Sequence, residues 1–98
     1  MNIQKMLKQA QEMQAKLGAV QADLEQREVE GNSGGGAVKI TLSGKGNLLK
    51  LAISDAAFED KEMLEDLIIA AHADAKQKAD DMVADAMGAV TGGMKLPF

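Results

Sequence analysis

The chain has no cysteine, no tryptophan and no tyrosine, and a single proline and a single histidine. Each shortage removes a class of answer. Without cysteine there is no disulfide framework and no thiolate chemistry, a composition compatible with the cytoplasm. With His72 as the one imidazole and no thiol, the usual zinc ligand sets cannot be assembled. With two phenylalanines as its only aromatics, the chain must build its core from Leu, Ile, Val, Met and Ala, and it offers no aromatic platform for base stacking. No run of about 18 apolar residues is present to span a membrane. The first residues are polar and helical in pattern, with no apolar signal-peptide core.

What is present reads as two long helices around a small sheet. Ile3, Met6, Ala10, Met13, Leu17, Val20 and Leu24 step by three and four, an a/d heptad stripe held over three heptads. Such a helix is about 33 Å long. Its stripe is expected to pack on the chain's own sheet and second helix, or in part on another chain. Leu64, Leu67, Ile68, Ala71, Ala75, Ala79, Met82, Val83, Ala86 and Val90 mark a second amphipathic helix of about 30 residues, roughly 45 Å. Asp60 is placed as its N-cap, with Glu62 in the first turn. Its far half is rich in Ala and Met, which allow close and adaptable packing.

Between the helices, Glu28-Val29-Glu30, Val38-Lys39-Ile40-Thr41-Leu42 and Leu49-Lys50-Leu51-Ala52-Ile53 alternate with the period of two expected of strands with one apolar and one wet face. Gly31-Asn32-Ser33-Gly34-Gly35-Gly36 reads as a hairpin connection. It is followed by Ala37-Val38, not by the Lys and Ser/Thr a phosphate-binding loop requires. Gly44-Lys45-Gly46-Asn47 reads as a second turn. The expected protomer is therefore α+β with a small antiparallel sheet. It forms one domain over residues 1–90, followed by a breaker-rich, mobile tail at 91–98. The helices are longer than the strands they cover, and the sheet has two open edges, so a second copy is expected.

No catalytic set is readable. The acids Glu59, Asp60, Glu62, Glu65 and Asp66 lack the glycine-centred spacing of a calcium loop. Ser33, Ser43 and Ser54 have no base placed near them in sequence, so the chain reads as a non-enzyme without cofactor or metal. Charge is unevenly spread beneath the net −4. Residues 1–20 carry a local +2, residues 31–54 a local +3, and residues 55–66 a local −5.

Several stretches together resemble the YbaB/EbfC family of bacterial nucleoid-associated proteins. They are Met6-Leu7-Lys8-Gln9-Ala10-Gln11-Glu12-Met13-Gln14, Glu28-Val29-Glu30-Gly31 with Ser33-Gly34-Gly35-Gly36 and Val38-Lys39-Ile40, and Asp60-Lys61-Glu62-Met63-Leu64-Glu65-Asp66-Leu67-Ile68. Gly93-Met94-Lys95-Leu96-Pro97 is similar to the family's closing motif, although family members often continue with a Gly/Phe/Pro-rich stretch and this sequence stops at Phe98. The resemblance implies an α-β-β-β-α protomer in a tweezer-like homodimer, an architectural protein of the bacterial nucleoid that binds duplex DNA with its helical arms. On that reading Lys5, Lys8 and Lys16 of the first helix are the leading phosphate contacts. Lys76, Lys78 and Lys95 are secondary, and Lys39 and Lys50 form a competing patch on the sheet. Two copies carry twice −4, or −8, so binding is expected to be weak or strongly salt-sensitive. The alternative is a protein-interaction scaffold using the acidic and Met-rich faces of the second helix.

Overall fold

The computed structural model describes residues 2–91. Over them the chain runs α1 (Ile3–Gln26), β1 (Glu28–Ser33), β2 (Val38–Ser43), β3 (Leu48–Ile53), a 3-10 turn (Asp55–Glu59) and α2 (Lys61–Thr91). This is the α-β-β-β-α order expected, and the strands pair antiparallel in the order β1-β2-β3. Thr91 closes α2, and the rest of the expected mobile tail, with Lys95, lies outside the described residues. Among the described residues no helix is long and apolar enough to cross a membrane.

Local chemistry fixes the element ends. Asn2 caps α1 by accepting a hydrogen bond from the Lys5 N–H at 3.2 Å. Asp60 caps α2 as expected, its carboxylate accepting from the Met63 N–H at 3.1 Å. At the other end of α1 the Gly44 N–H, in the β2–β3 turn, donates to the Leu24 and Arg27 carbonyls at 3.1 and 3.0 Å. That contact ties the root of the helix to the sheet.

One strand is longer than its composition suggests. Gly31, Asn32 and Ser33 belong to β1, opposite Ile40, Lys39 and Val38, and are not part of the connection. The turn is confined to residues 34–37. Gly34, Gly35 and Gly36 there adopt φ of 60°, 68° and 95°, backbone that only glycine takes without strain. Gly31 serves a different purpose. A methyl group at this position would run into the Ala75 nitrogen and the Ala71 carbonyl, so α2 lies directly on the β1 backbone. Ser33 adds a hydroxyl bond to the Leu67 carbonyl at 2.6 Å.

The core follows from that crossing. Val38, Ile40 and Leu42 on β2 are buried under Ala71 and Ala75, with Val29, Ile53, Leu64, Leu67 and Ile68 packed around them. Fully burying one aliphatic side chain contributes roughly 1.5–3 kcal/mol. α2 covers β1 and β2 but stops short of β3. Leu48 and Leu51 stand opposite Leu42 and Ile40 on the helix-bearing face, yet remain 57% and 44% exposed. The expected apolar face of this strand packs into the core only at Ile53, and its leucines stay exposed. The register also slips between Thr41 and Leu42, so the alternation of β3 breaks at Leu49.

Both helices run past the sheet at the same end, which gives an elongated molecule of 68 × 24 × 16 Å. They lie antiparallel there. Arg27 shares a cleft with Lys78 and Met82, Leu24 and Gln21 share another with Ala79, Val83 and Met87, and one further turn brings Val90 abreast of Leu17. Leu24 is buried; Val20, Leu17 and Met13 are half-buried; residues 3–12 are exposed. The heptad stripe of α1 is thus covered by α2 at its root and uncovered toward its tip.

Candidate nucleic-acid interface

Residues 5–16 of α1 carry three lysines that are in no ion pair among the described residues, as is true of Lys39, Lys50 and Lys61 elsewhere. Among the described residues, every other arrangement of lysine or arginine that forms an ion pair lies elsewhere: Arg27 with Asp23 at 2.8 Å, Lys45 with Glu25 at 2.6 Å, Lys76 with Asp80 at 2.5 Å, and Lys78 with Asp74 at 3.2 Å. Lys5, Lys8 and Lys16 are in no ion pair. Glu12 sits one turn from both Lys8 and Lys16 without bridging to either, and lines a shallow groove with Gln9, Met13 and Lys16. At 100° per residue the three lysines fall within a sector of about 80°, flanking the apolar stripe. From Lys5 to Lys16 they span about 16 Å along the axis, roughly the rise of five base pairs.

Lys76 and Lys78, the secondary candidates, are placed differently. Lys76 is held by Asp80 one turn on. Lys78 donates to the Glu30 carbonyl at 2.9 Å as well as pairing with Asp74. Asp74 in turn accepts the Asn32 N–H at 3.0 Å. That backbone donor first, and the Lys78 ammonium second, hold the Asp74 carboxyl below the usual carboxylate range. Together Asp74 and Lys78 clamp α2 to β1. With Asp80, Asp81 and Asp85 nearby, this stretch of α2 presents more negative than positive charge.

The sheet face away from α2 carries Lys39 and Lys50, both exposed. Antiparallel pairing puts Glu30 in the row of Thr41 and Lys50, and Glu28 in the row of Ser43. This competing patch is therefore of mixed sign. A cleft of about 430 Å³ between the root of α1, the β2–β3 turn and α2 holds Lys45 and Lys76, each already neutralised by an acid. Among the described residues no group of three or more His, Asp or Glu side chains is placed to hold a metal ion.

Three features were not read from the sequence. Leu7 is off the heptad stripe, yet at 58% exposed it widens the bare apolar tip formed with Ile3 (68%) and Met6 (54%). Leu48 joins β3. The Asp74–Lys78 clamp links residues 42 and 48 positions distant from their β1 partners, a separation that carries no local sequence signal. On the Met-rich face of α2, Met82 and Met87 are half-buried beside α1, and Met63 is exposed.

Comparison with known proteins bears on the family and the fold. The model of the YbaB/EbfC DNA-binding family matches residues 1–94. A nucleoid-associated protein of Granulibacter bethesdensis is 51% identical over 98 residues, covering 98% of this chain and 92% of its own. One from Methylocella silvestris is 51% identical over 94 residues, covering 94% and 88%. Among solved structures, an uncharacterized protein of Helicobacter pylori, HP0035, superposes with a TM-score of 0.80 over 87% of this chain and 91% of that one. Its identity is 22%, so it supports the fold alone. With the family model spanning nearly the whole chain and relatives matched at half of all positions, this chain belongs to the YbaB/EbfC DNA-binding family.

Proposed function

We propose that the protein is a dimeric, non-enzymatic architectural protein of the nucleoid that grips duplex DNA through backbone phosphates with residues 5–16 of α1. The observation that carries this reading is the set Lys5, Lys8 and Lys16. Among the described residues they are in no ion pair, and they share one side of the helix. Phosphate contacts position a protein on DNA without reading sequence, so affinity depends on charge and not on base order.

The dimer is supported by what β3 leaves uncovered. Leu48, Leu49 and Leu51 are 57%, 52% and 44% exposed, Phe58 is 61% exposed, and among the described residues no strand lies beside the outer edge of β3. A second copy would cover this surface and double the number of arms. Two linked weak phosphate contacts then act at high effective concentration, which offsets the −8 carried by two chains. Residence in the cytoplasm, on the nucleoid, follows from the same reading.

Fluorescence anisotropy with two labelled duplexes of unrelated sequence, across a salt series, tests it. Similar affinities and a linear fall of log affinity with log salt are expected. No binding to either duplex at low salt would turn attention to the remaining reading, a basic protein partner for the acidic start of α2. That reading predicts a stoichiometric protein in a nuclease-treated pull-down.

A further inference from the structure

Toward its tip α1 keeps its apolar stripe and loses its cover. Ile3, Met6, Leu7 and Ala10 are exposed, whereas the stripe from Met13 to Leu24 is half-buried or buried. Past the level of Leu17, which the last described turn of α2 reaches, the space beside the stripe is open among the described residues. The side chains bordering the bare stretch are Gln4, Gln9, Gln11 and Gln14, all exposed and all uncharged. Lys5 and Lys8 stand at least about 100° around the helix from Ile3, Met6 and Leu7.

We propose that this stretch docks on the same stretch of a second copy, the two outer halves of α1 lying antiparallel with Ile3 opposite Met13 and Met6 opposite Ala10. The border of the stripe selects the occupant. A charged partner helix finds no opposite charge beside it, and opposite charge is what commonly sets partner choice along such a seam. A second copy brings glutamines to glutamines, each able to donate and accept, and meets no like charge. It also brings the same a/d spacing, the one that packs helix on helix. A patch that faces its own copy closes the contact at two arms. Direction follows from α2. In a parallel pair both roots, each with α2 already on its stripe, would compete for one space. In an antiparallel pair each tip enters the space beyond the last described turn of the other chain's α2. The long Met6 then faces the small Ala10. The overlap of residues 3–13 measures about 15 Å. So short a seam is small beside a standard interface, and pairing rises with protein concentration. The pairing stands apart from the DNA-binding reading and from the β3 surface. Where the DNA-binding reading also holds, Lys5 and Lys8 stay open on both outer sides of the pair, and one joint holds two duplexes together.

The absence of cysteine makes disulfide trapping specific. Ile3→Cys and Met13→Cys are made separately in the full chain, then mixed and oxidised without DNA. In the antiparallel pair these two positions face each other, while two copies of either one stand about 15 Å apart along the axis, beyond disulfide reach. A cross-linked two-chain product is expected from the mixture and from neither variant alone. Adding Met6→Gln and Leu7→Gln to both chains should abolish the product while the circular dichroism stays that of the parent. Adding Leu48→Lys and Leu51→Lys instead should leave it, because the arms pair without β3. No product from the mixture overturns the proposal and leaves the stripe to its own chain or to a different partner. Product from Ile3→Cys alone overturns the antiparallel form, and product that survives the tip substitutions is collision and overturns it too. Product lost with the β3 substitutions places the contact inside a β3 dimer and also overturns it. Because no DNA is present, each of these failures leaves the DNA-binding reading intact.

Discussion

The two halves of α1 share one sequence pattern and have different surroundings. From Met13 to Leu24 the stripe is half-buried or buried beside α2; from Ile3 to Ala10 the same spacing of apolar residues is exposed. The difference lies in what stands opposite. Extending the pairing of Gln21 and Leu24 with Val83 and Met87 brings the last described turn of α2 level with Leu17, so the pattern finds a partner in one half and none among the described residues in the other. Among the described residues Lys5 and Lys8 of the outer half, and Lys16 just below it, are in no ion pair, whereas charges at the root are tied into pairs such as Arg27–Asp23 and Lys45–Glu25. A heptad stripe specifies an apolar face. It does not specify what covers it.

The largest effect is expected where α2 lies on the β1 backbone. Gly31→Ala places a methyl group against the Ala71 and Ala75 backbone. Backbone cannot yield as a side chain can, so a loss of about 3 kcal/mol is expected. Thermal denaturation should register this as a drop of more than about 10 °C for a domain of this size. Next, Leu24→Ala and Met6→Ala compare root and tip directly. Leu24 is 4% exposed, and its truncation is expected to cost about 2–5 kcal/mol in urea titrations. Met6→Ala should stay within about 1 kcal/mol. Equal losses would mean that the tip is as firmly packed as the root.

Two smaller effects sharpen the picture. Leu48→Lys with Leu51→Lys adds charge to the uncovered face of β3, so light scattering should show the proposed dimer reverting to the mass of one chain without loss of helicity. A dimer that persists would place the interface elsewhere. Asp74→Asn probes the clamp. The native carboxyl is held below its ordinary value by the Asn32 N–H and then by Lys78. Its stabilising contribution is therefore present above the unfolded-state pKa of about 3.9, and is lost as pH falls through the lower folded-state value. The variant should melt below the native protein near neutrality, and show a flatter dependence of melting temperature on pH below about pH 4, so that the two curves converge in acid.

Much of the fold was legible because its periodicities are long and unbroken. The ten α2 positions from Leu64 to Val90 are all buried or half-buried. Asp60 is the cap its position suggested. What was not legible depended on distance. Gly31 reads as a loop residue by composition, and only the close passage of α2 reveals it as a strand residue chosen for lack of a side chain. The alternation of β3 announces a buried face, but whether α2 extends over it is a matter of helix position, which no local pattern carries. The candidate site divides in the same way. Lys5, Lys8 and Lys16 could be grouped by helical spacing alone. The ion pairs that occupy Lys76 and Lys78 also follow i,i+4 spacing, to Asp80 and from Asp74, and were available to a closer reading.

The most direct measurement compares the salt dependence of DNA binding for two variants of the intact protein, Lys5→Gln/Lys8→Gln/Lys16→Gln and Lys76→Gln/Lys78→Gln. Each phosphate contact contributes about 0.9 to the slope of log affinity against log salt. The free-arm account predicts that the first variant flattens the slope by about 2–3 per chain and weakens binding to unrelated duplexes alike, while the second leaves the slope near that of the native protein. A native slope in the first variant, or the larger loss in the second, would contradict it.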